Sequence, residues 1–307
     1  MTDYENVLVD VDGPVATITL NRPEKLNAIS GGLRDDLEAA LRELTGGGYA
    51  EAAAQGLHPG DTVRVIRLKG AGRAFCAGYD LTPGGGAMNW RPNQRTGDQA
   101  WELGESRIAL DRENLRVSVD RWLWMWGYRK PIVAQVHGWC LAGGGEMIGA
   151  CDIVFAAEDA RFGHPAGRAV GIPPTLGMWP AKIGMLKTKE LLFSGDTVDG
   201  VEAERIGMIN RAYPEELLDE ETMAYCQRIA NVPLDGLTVH KHSTNRWFEL
   251  MGLRVAASEG ADFDAIWHEA PSINEFVNIG REKGLKVALE WRDDPFGDGR
   301  GALRRRT

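Results

Sequence analysis

The 307-residue chain carries 26% charged and 43% hydrophobic residues with a net charge of -9, the make-up of an ordinary globular protein. Its length allows one large domain or a core with an appendage, at roughly 150 residues per domain. No apolar run approaches the ~20 residues of a membrane helix, so no membrane partner is expected, and the acidic balance disfavours broad nucleic-acid binding.

The start, Met1-Thr2-Asp3-Tyr4-Glu5-Asn6, lacks the positive and apolar stretches of a secretory signal, so a cytoplasmic protein is expected. Cys76, Cys140, Cys151 and Cys226 have no paired spacing, which predicts buried reduced thiols and no metal site. Val7 to Val11 and Val15 to Leu20 alternate around Asp12-Gly13-Pro14, a hairpin pattern. A polar loop, Asn21 to Ser30, ends in a candidate N-cap, and Leu33, Leu37, Ala40, Leu41 and Leu44 then fall on one helix face. Residues 45 to 61 read as an inserted loop rich in breakers.

Val63 to Leu68 predicts an apolar strand that ends in small residues, Gly70-Ala71-Gly72-Arg73-Ala74-Phe75-Cys76-Ala77-Gly78-Tyr79-Asp80-Leu81. There backbone amides can face a ligand. After polar residues 82 to 100, Leu103 to Gly127 predicts a long helix with Trp122, Trp124 and Trp126, better suited to core packing than to a pocket wall. A second apolar strand, Ile132 to Val136, runs into Gly138-Trp139-Cys140-Leu141-Ala142-Gly143-Gly144-Gly145-Glu146. Glycines at a helix start let a ligand approach bare amides, and Glu146 puts a proton carrier within the same turn.

Ile153 to Ala156 predicts another buried strand, and the loop after it holds His164, an acid-base candidate by type. Helices are expected at Leu186 to Phe193 and Val201 to Ile206, with a strand from Met208 to Ala212. From Pro214 onward only helices are expected: Leu217 to Ile229, Leu234 to Met251, Arg254 to Trp267 and Ile273 to Trp291. This divides the chain into an α/β core, residues 1 to 213, and a helical region, 214 to 307. Trp247, Phe248, Phe263, Ile266 and Trp267 give that region more apolar surface than a lone arm should expose, which predicts packing on another subunit.

These segments, in this order, resemble the crotonase family, the enoyl-CoA hydratases and isomerases. The likeness runs from about Val7 to Leu218 and, more weakly, through the helical tail; it is carried by Asn21-Arg22-Pro23-Glu24-Lys25-Leu26-Asn27-Ala28, the two glycine-rich strand ends, Cys151-Asp152-Ile153 and Asp159-Ala160-Arg161-Phe162-Gly163. It implies a spiral of ββα repeats with a helical C-terminal region that builds a trimer or a dimer of trimers. It further implies an acyl-CoA thioester as substrate, no bound cofactor, and an oxyanion hole made by the amides of Tyr79 and Gly143. Leu26, Ala28, Ala74, Phe75, Ala77 and Gly144 would contact the CoA ester, and its phosphates would look to Arg22, Lys25 or Arg292.

Hydratases of the family have two glutamates. The first corresponds to Glu146, whereas the second position, after Phe162-Gly163-His164-Pro165, is Ala166. Hydration must deliver a hydroxyl and a proton to neighbouring carbons, work suited to two groups of differing pKa. His164, Arg168, Tyr79 and Asp152 are the candidate helpers of Glu146. A hydratase is the leading expectation; isomerisation, C-C cleavage, thioester hydrolysis and silent acyl-CoA binding are the alternatives. Trp139 together with Pro174 and Trp179 points to an unusual, aromatic or polycyclic acyl group.

Overall fold

The computed structural model describes residues 2–46, 62–82 and 106–297. The expected hairpin is present: β1 (Val7–Asp12) pairs antiparallel with β2 (Val15–Leu20). The Ser30 hydroxyl accepts from the Leu33 amide at 3.1 Å and starts α1 (Gly31–Leu44), whose buried residues are the five the spacing predicts. Strands β3 (Val65–Gly70), β5 (Ile132–Val136) and β7 (Ile153–Ala157) follow as parallel neighbours. Almost every residue in them is buried, the pattern of a sheet covered on both faces.

Between these strands the chain steps repeatedly into a second sheet, formed by β4 (Ala74–Cys76), β6 (Trp139–Leu141), β8 (Arg161–Gly163) and β9 (Thr197–Asp199). The first sheet has the order β1-β2-β3-β5-β7-β10, with β10 at Arg211–Tyr213, and the second the order β4-β6-β8-β9. Alternation of β3/β4, β5/β6 and β7/β8 between two sheets is a spiral of two-strand turns. Helix α2 (Arg107–Trp126) links the first two turns, and α3 (Gly143–Gly149) the second and third. Every turn therefore delivers a strand end of the second sheet to the same side of the molecule.

Most expected boundaries shift by one or two residues, as at β3, expected at Val63 to Leu68 and found at Val65–Gly70; two elements change further. The strand placed at Met208 to Ala212 begins only at Arg211, because the Met208 amide returns to Ala203 O at 2.8 Å and closes α6 (Gly200–Arg205) through Gly207, whose φ is +79°. The Asn210 side chain then accepts from Val154 N at 2.8 Å, so this stretch buttresses the sheet edge before pairing with it. The expected single helix from Ile273 to Trp291 is two, α10 (Pro271–Lys283) and α11 (Leu285–Asp293), broken at Gly284 with φ +90° and ψ 156°. Only an isolated helical period, not its interruption, was visible in the apolar spacing.

Before these come α4 (Trp179–Lys182), α5 (Gly184–Ser194), α7 (Glu215–Ile229), α8 (Leu234–Leu250) and α9 (Leu253–Trp267). Helix α7 covers β3, β5 and β7, and α9 lies along α2, so these helices close the core. Val239, Trp247, Leu250, Met251, Val255, Phe263 and Ile266 are nonetheless exposed. Phe248 and Trp267 are not among them: Phe248 meets Trp126 edge-on at 6.4 Å, and Trp267 packs on a small cluster around Phe276. Residues 47–61 and 83–105, which hold most of the two expected polar loops, 45 to 61 and 82 to 100, lie outside the described residues, as does the Arg304-Arg305-Arg306 tail.

A buried long-range ion pair ties α8 to the core. Lys241 of α8, 3% exposed, donates to Asp152 at 2.8 Å and to Lys130 O at 3.2 Å, and Asp152 also accepts from the Ile132 amide at 2.7 Å. All four cysteines are free and buried. Among the described residues no helix is long and apolar enough to cross a membrane.

Candidate active site

The two glycine-rich strand ends meet. A Cβ built on Gly78 would stand 3.0 Å from Ala142 Cβ and 3.6 Å from Gly143 N, and one on Gly143 would stand 2.8 Å from the Tyr79 ring. Close approach of the backbones thus requires glycine at both places. The bridge between Ile29 and Tyr79 uses Gly78 O and Asp80 N and leaves the Tyr79 amide outside it. Gly143 opens α3, ahead of its first bond, Glu146 N to Ala142 O at 3.2 Å. Ala142, with φ 49° and ψ -115°, is held in a sparsely populated conformation, the kind of strain that aims a backbone group.

Glu146 is fully buried beside them. Its Oε2 accepts from the Tyr79 hydroxyl at 2.6 Å, and its Oε1 accepts from Thr175 N at 2.8 Å and Thr175 Oγ1 at 2.7 Å. Burial pushes its carboxyl up to about 7 against the pull of these three donors. The Tyr79 hydroxyl in turn accepts from Trp122 Nε1 at 3.1 Å, and burial raises its own pKa far above the ordinary 10.0. A carboxyl that exchanges its proton near neutrality is therefore coupled to a phenol that keeps its own.

A cavity of about 940 Å³ opens over this pair. Tyr79 is in its wall, with Leu26, Ala77, Trp139, Ala142, Ala166 and Pro174; Glu146 is not among the described lining residues. The carboxylate thus meets the cavity through Tyr79. Of the other expected contacts, Ala74 and Phe75 are fully buried, and Gly144 is buried against Cys76, where a Cβ would lie 2.7 Å from the carbonyl. Their side chains are packing elements rather than cavity wall. Arg22 donates to Asp80 at 3.0 Å and to Ala28 O, so its charge is already engaged, whereas Lys25 is exposed. Arg292 lines the cavity paired with Asp293 at 2.7 Å.

The candidate helpers of Glu146 separate cleanly. Asp152 is tied to Lys241, and Arg168, buried under the Phe296 ring, is tied to Asp196 at 3.1 Å and Asp293 at 3.3 Å. Tyr79 alone of them touches Glu146; His164 lines the cavity near Ala166. The three tryptophans of α2 are absent from the described cavity wall, as core packing predicts, but Trp122 holds the Tyr79 hydroxyl. Trp179 is buried below Gly177, whose Cβ would lie 2.9 Å from its Nε1, so Trp139 and Pro174 shape the cavity and Trp179 does not.

Thr175, Arg34, Arg73, Asp264 and His268 escaped the sequence reading. Thr175 bonds a residue 29 positions away, which no local period reveals. Asp264 and His268, spaced i,i+4 on one helix, offered a usable signal: two titratable groups on one face, next to the apolar stripe of α9.

Tyr79→Phe removes a donor that holds Glu146 down, so the ionisation of Glu146 is expected to move upward. A pH titration of the Glu146 carboxyl by carbon-13 NMR should show its near-neutral inflection displaced to higher pH in the variant. An unmoved inflection would show that the Tyr79 hydroxyl does not hold the carboxylate.

Comparison with known proteins agrees with the fold. Residues 10–298 match the family model described as enoyl-CoA hydratase/isomerase. A probable enoyl-CoA hydratase of Rhizobium meliloti is 32% identical over 250 residues, 80% of this chain and 84% of that one. The crystal structure of an enoyl-CoA hydratase from Mycobacterium smegmatis superposes with a TM-score of 0.81 at 30% identity, covering 98% of this chain and 97% of that chain. An enoyl-CoA hydratase/isomerase from Xanthobacter autotrophicus Py2 gives 0.78 at 30% identity, with 96% and 99% covered.

Proposed function

The chain belongs to the enoyl-CoA hydratase/isomerase family, and from that premise we propose that it hydrates the double bond of a trans-2-enoyl-CoA thioester. The thioester oxygen accepts from the amides of Tyr79 and Gly143, which sit on touching backbones. Charge develops there as water adds to C3, and two fixed donors stabilise it; losing one typically costs ~10²–10³ in rate. Leu26, Ala28 and Ala77 lie along the CoA arm. Among the described residues, Arg73 and Lys286 on the cavity wall and Lys25 are exposed cations that can meet its phosphates in preference to Arg22, which Asp80 holds; Lys286 has a loose 3.8 Å contact with the exposed Glu290 to give up.

The observation that carries the reading is the 2.6 Å bond between Tyr79 and Glu146, whose carboxyl is poised at about 7. As the water oxygen bonds C3, its proton passes to the Tyr79 oxygen while the Tyr79 proton passes to Glu146. The enolate then takes a proton at C2 by the reverse route, so one carboxyl serves both halves of the addition. That accounts for hydration with Ala166 in place of a second glutamate. The exposed apolar residues of α8 and α9 support packing on further copies of the chain, and a homotrimer or dimer of trimers in the cytoplasm is the assembly we propose.

Mass analysis of a trans-2-octenoyl-CoA incubation in water labelled with heavy oxygen and deuterium tests this. A 3-hydroxyacyl-CoA with label at both C3 and C2 is expected. An isomerised ester, a cleaved acyl chain, a free acid, or tight binding without turnover would each replace the hydratase reading with the corresponding alternative.

A further inference from the structure

Around the Gly171 peptide the cavity wall holds polar side chains that the hydration step does not use. His164, 3% exposed, has Nε2 at 2.9 Å from Gly171 O. A carbonyl only accepts, so Nε2 carries the hydrogen and Nδ1 presents a lone pair. That Nδ1 is buried without a hydrogen-bond partner. Burial also pushes the imidazole down to about 4, so at neutral pH the ring is uncharged and Nδ1 remains an acceptor.

On the next residue, the Ile172 amide donates to Asp264 Oδ1 at 2.8 Å. Asp264 lies 3.4 Å from His268 Nε2, and His268 Nδ1 is 2.6 Å from Asp111 Oδ2. A Cβ on Gly171 would stand 2.8 Å from His268 Nε2 and 2.9 Å from Asp264 Oδ1, so glycine is what lets the loop close on this cluster. His164, Gly171, Asp264 and His268 all line the cavity. The charge of Asp264 is also felt at Glu146, which it helps to raise, so the cluster lies within electrostatic reach of the reacting end.

An aliphatic chain laid over this wall would leave a buried lone pair unpaired, a standing cost. A hydroxyl would satisfy it, since both His164 Nδ1 and the Asp264 carboxylate accept hydrogen. We infer that His164 and Asp264 form a subsite for a hydroxyl carried on the acyl group, so that the preferred thioesters are hydroxylated acyl-CoA esters. The inference rests on the acyl-CoA reading above.

Dissociation constants for hydroxyoctanoyl-CoA positional isomers with the hydroxyl beyond C3, the 3-hydroxy ester being the hydration product itself, with octanoyl-CoA as the deoxy reference, test it. At least one isomer is expected to bind about tenfold tighter than octanoyl-CoA, the worth of one good hydrogen bond, and His164→Phe should bring that ratio close to one. In the wild-type protein, labelled with nitrogen-15 histidine, that isomer should shift the His164 Nδ1 resonance and octanoyl-CoA should not. This second readout is independent of how well the variant folds. Equal affinities across the series, or an unmoved Nδ1 resonance, would overturn the subsite. So would a His164→Phe variant that hydrates trans-2-octenoyl-CoA more slowly with the hydroxyl preference intact, because His164 would then be holding the reacting water. Octanoyl-CoA that fails to bind at all would instead remove the acyl-CoA reading, and the subsite with it.

Discussion

Glu146→Gln is expected to lower enoyl-CoA turnover by ~10²–10⁴-fold, the usual worth of a positioned proton carrier, while an unreactive acyl-CoA ester still binds. Glutamine is isosteric and its amide oxygen can still accept from Thr175, but it can neither store nor release the proton that Tyr79 relays. Glu146 is fully buried and outside the described cavity wall, so the substitution leaves the binding surface in place. Single-turnover kinetics alongside equilibrium binding would separate the two effects. A variant with the wild-type rate would remove Glu146 from the chemistry.

The same variant has a signature in stability. The folded carboxyl is raised from the ordinary 4.5 to about 7, so its contribution is fully present below the unfolded value and is lost as pH rises through the folded one. At the alkaline end the buried charge costs roughly 3 kcal/mol, since each pKa unit is worth ~1.4 kcal/mol. Glutamine has no such term. The melting temperature of the variant relative to the wild type should therefore climb between about pH 4.5 and 7 and level off above, as calorimetry across that range would show.

Asp152→Ala is expected to cost ~3–5 kcal/mol of stability, the range for breaking a buried ion pair from one side. It strands the ammonium of Lys241, which is 3% exposed, and leaves the Ile132 amide without its 2.7 Å acceptor. Burial raises the Asp152 carboxyl even against Lys241, a sign that the pair is held at a desolvation cost. Replacing both partners, Asp152→Leu with Lys241→Met, should recover much of the loss, because no charge is then left behind. Chemical denaturation of the single and double variants measures the difference; a single variant as stable as the wild type would show that Lys241 finds water on its own.

Much of the fold was legible because burial repeats locally. The hairpin turn, the five apolar residues of α1 and the largely apolar, buried parallel strands are local patterns within a dozen residues. Two boundaries were lost where a backbone bond overrode the period: Met208 turning back to Ala203, and Gly284 interrupting an apolar stripe that continues on both sides. In the candidate site, the motifs located Tyr79, Gly143 and Glu146 but not their relation. The motif points to the Tyr79 amide and leaves its side chain as one of four candidate helpers; the hydroxyl bond to Glu146, 67 positions away, is a product of sheet stacking. The link from Asp111 to His268 spans 157 positions and rests on α2 lying along α9.

One contact with no chemistry of its own sets a tolerance on all of this. Gly260 of α9 meets Pro174 so closely that a Cβ there would lie 1.9 Å from the Pro174 carbonyl oxygen. The adjoining residue, Thr175, supplies two of the three donors on Glu146, and Asp264 stands one helical turn beyond Gly260. A methyl group at position 260 would act as a spacer, and its displacement would be shared by the acid and the polar cluster at once. In a survey of natural variation, position 260 should therefore be as invariant as the residues that handle protons.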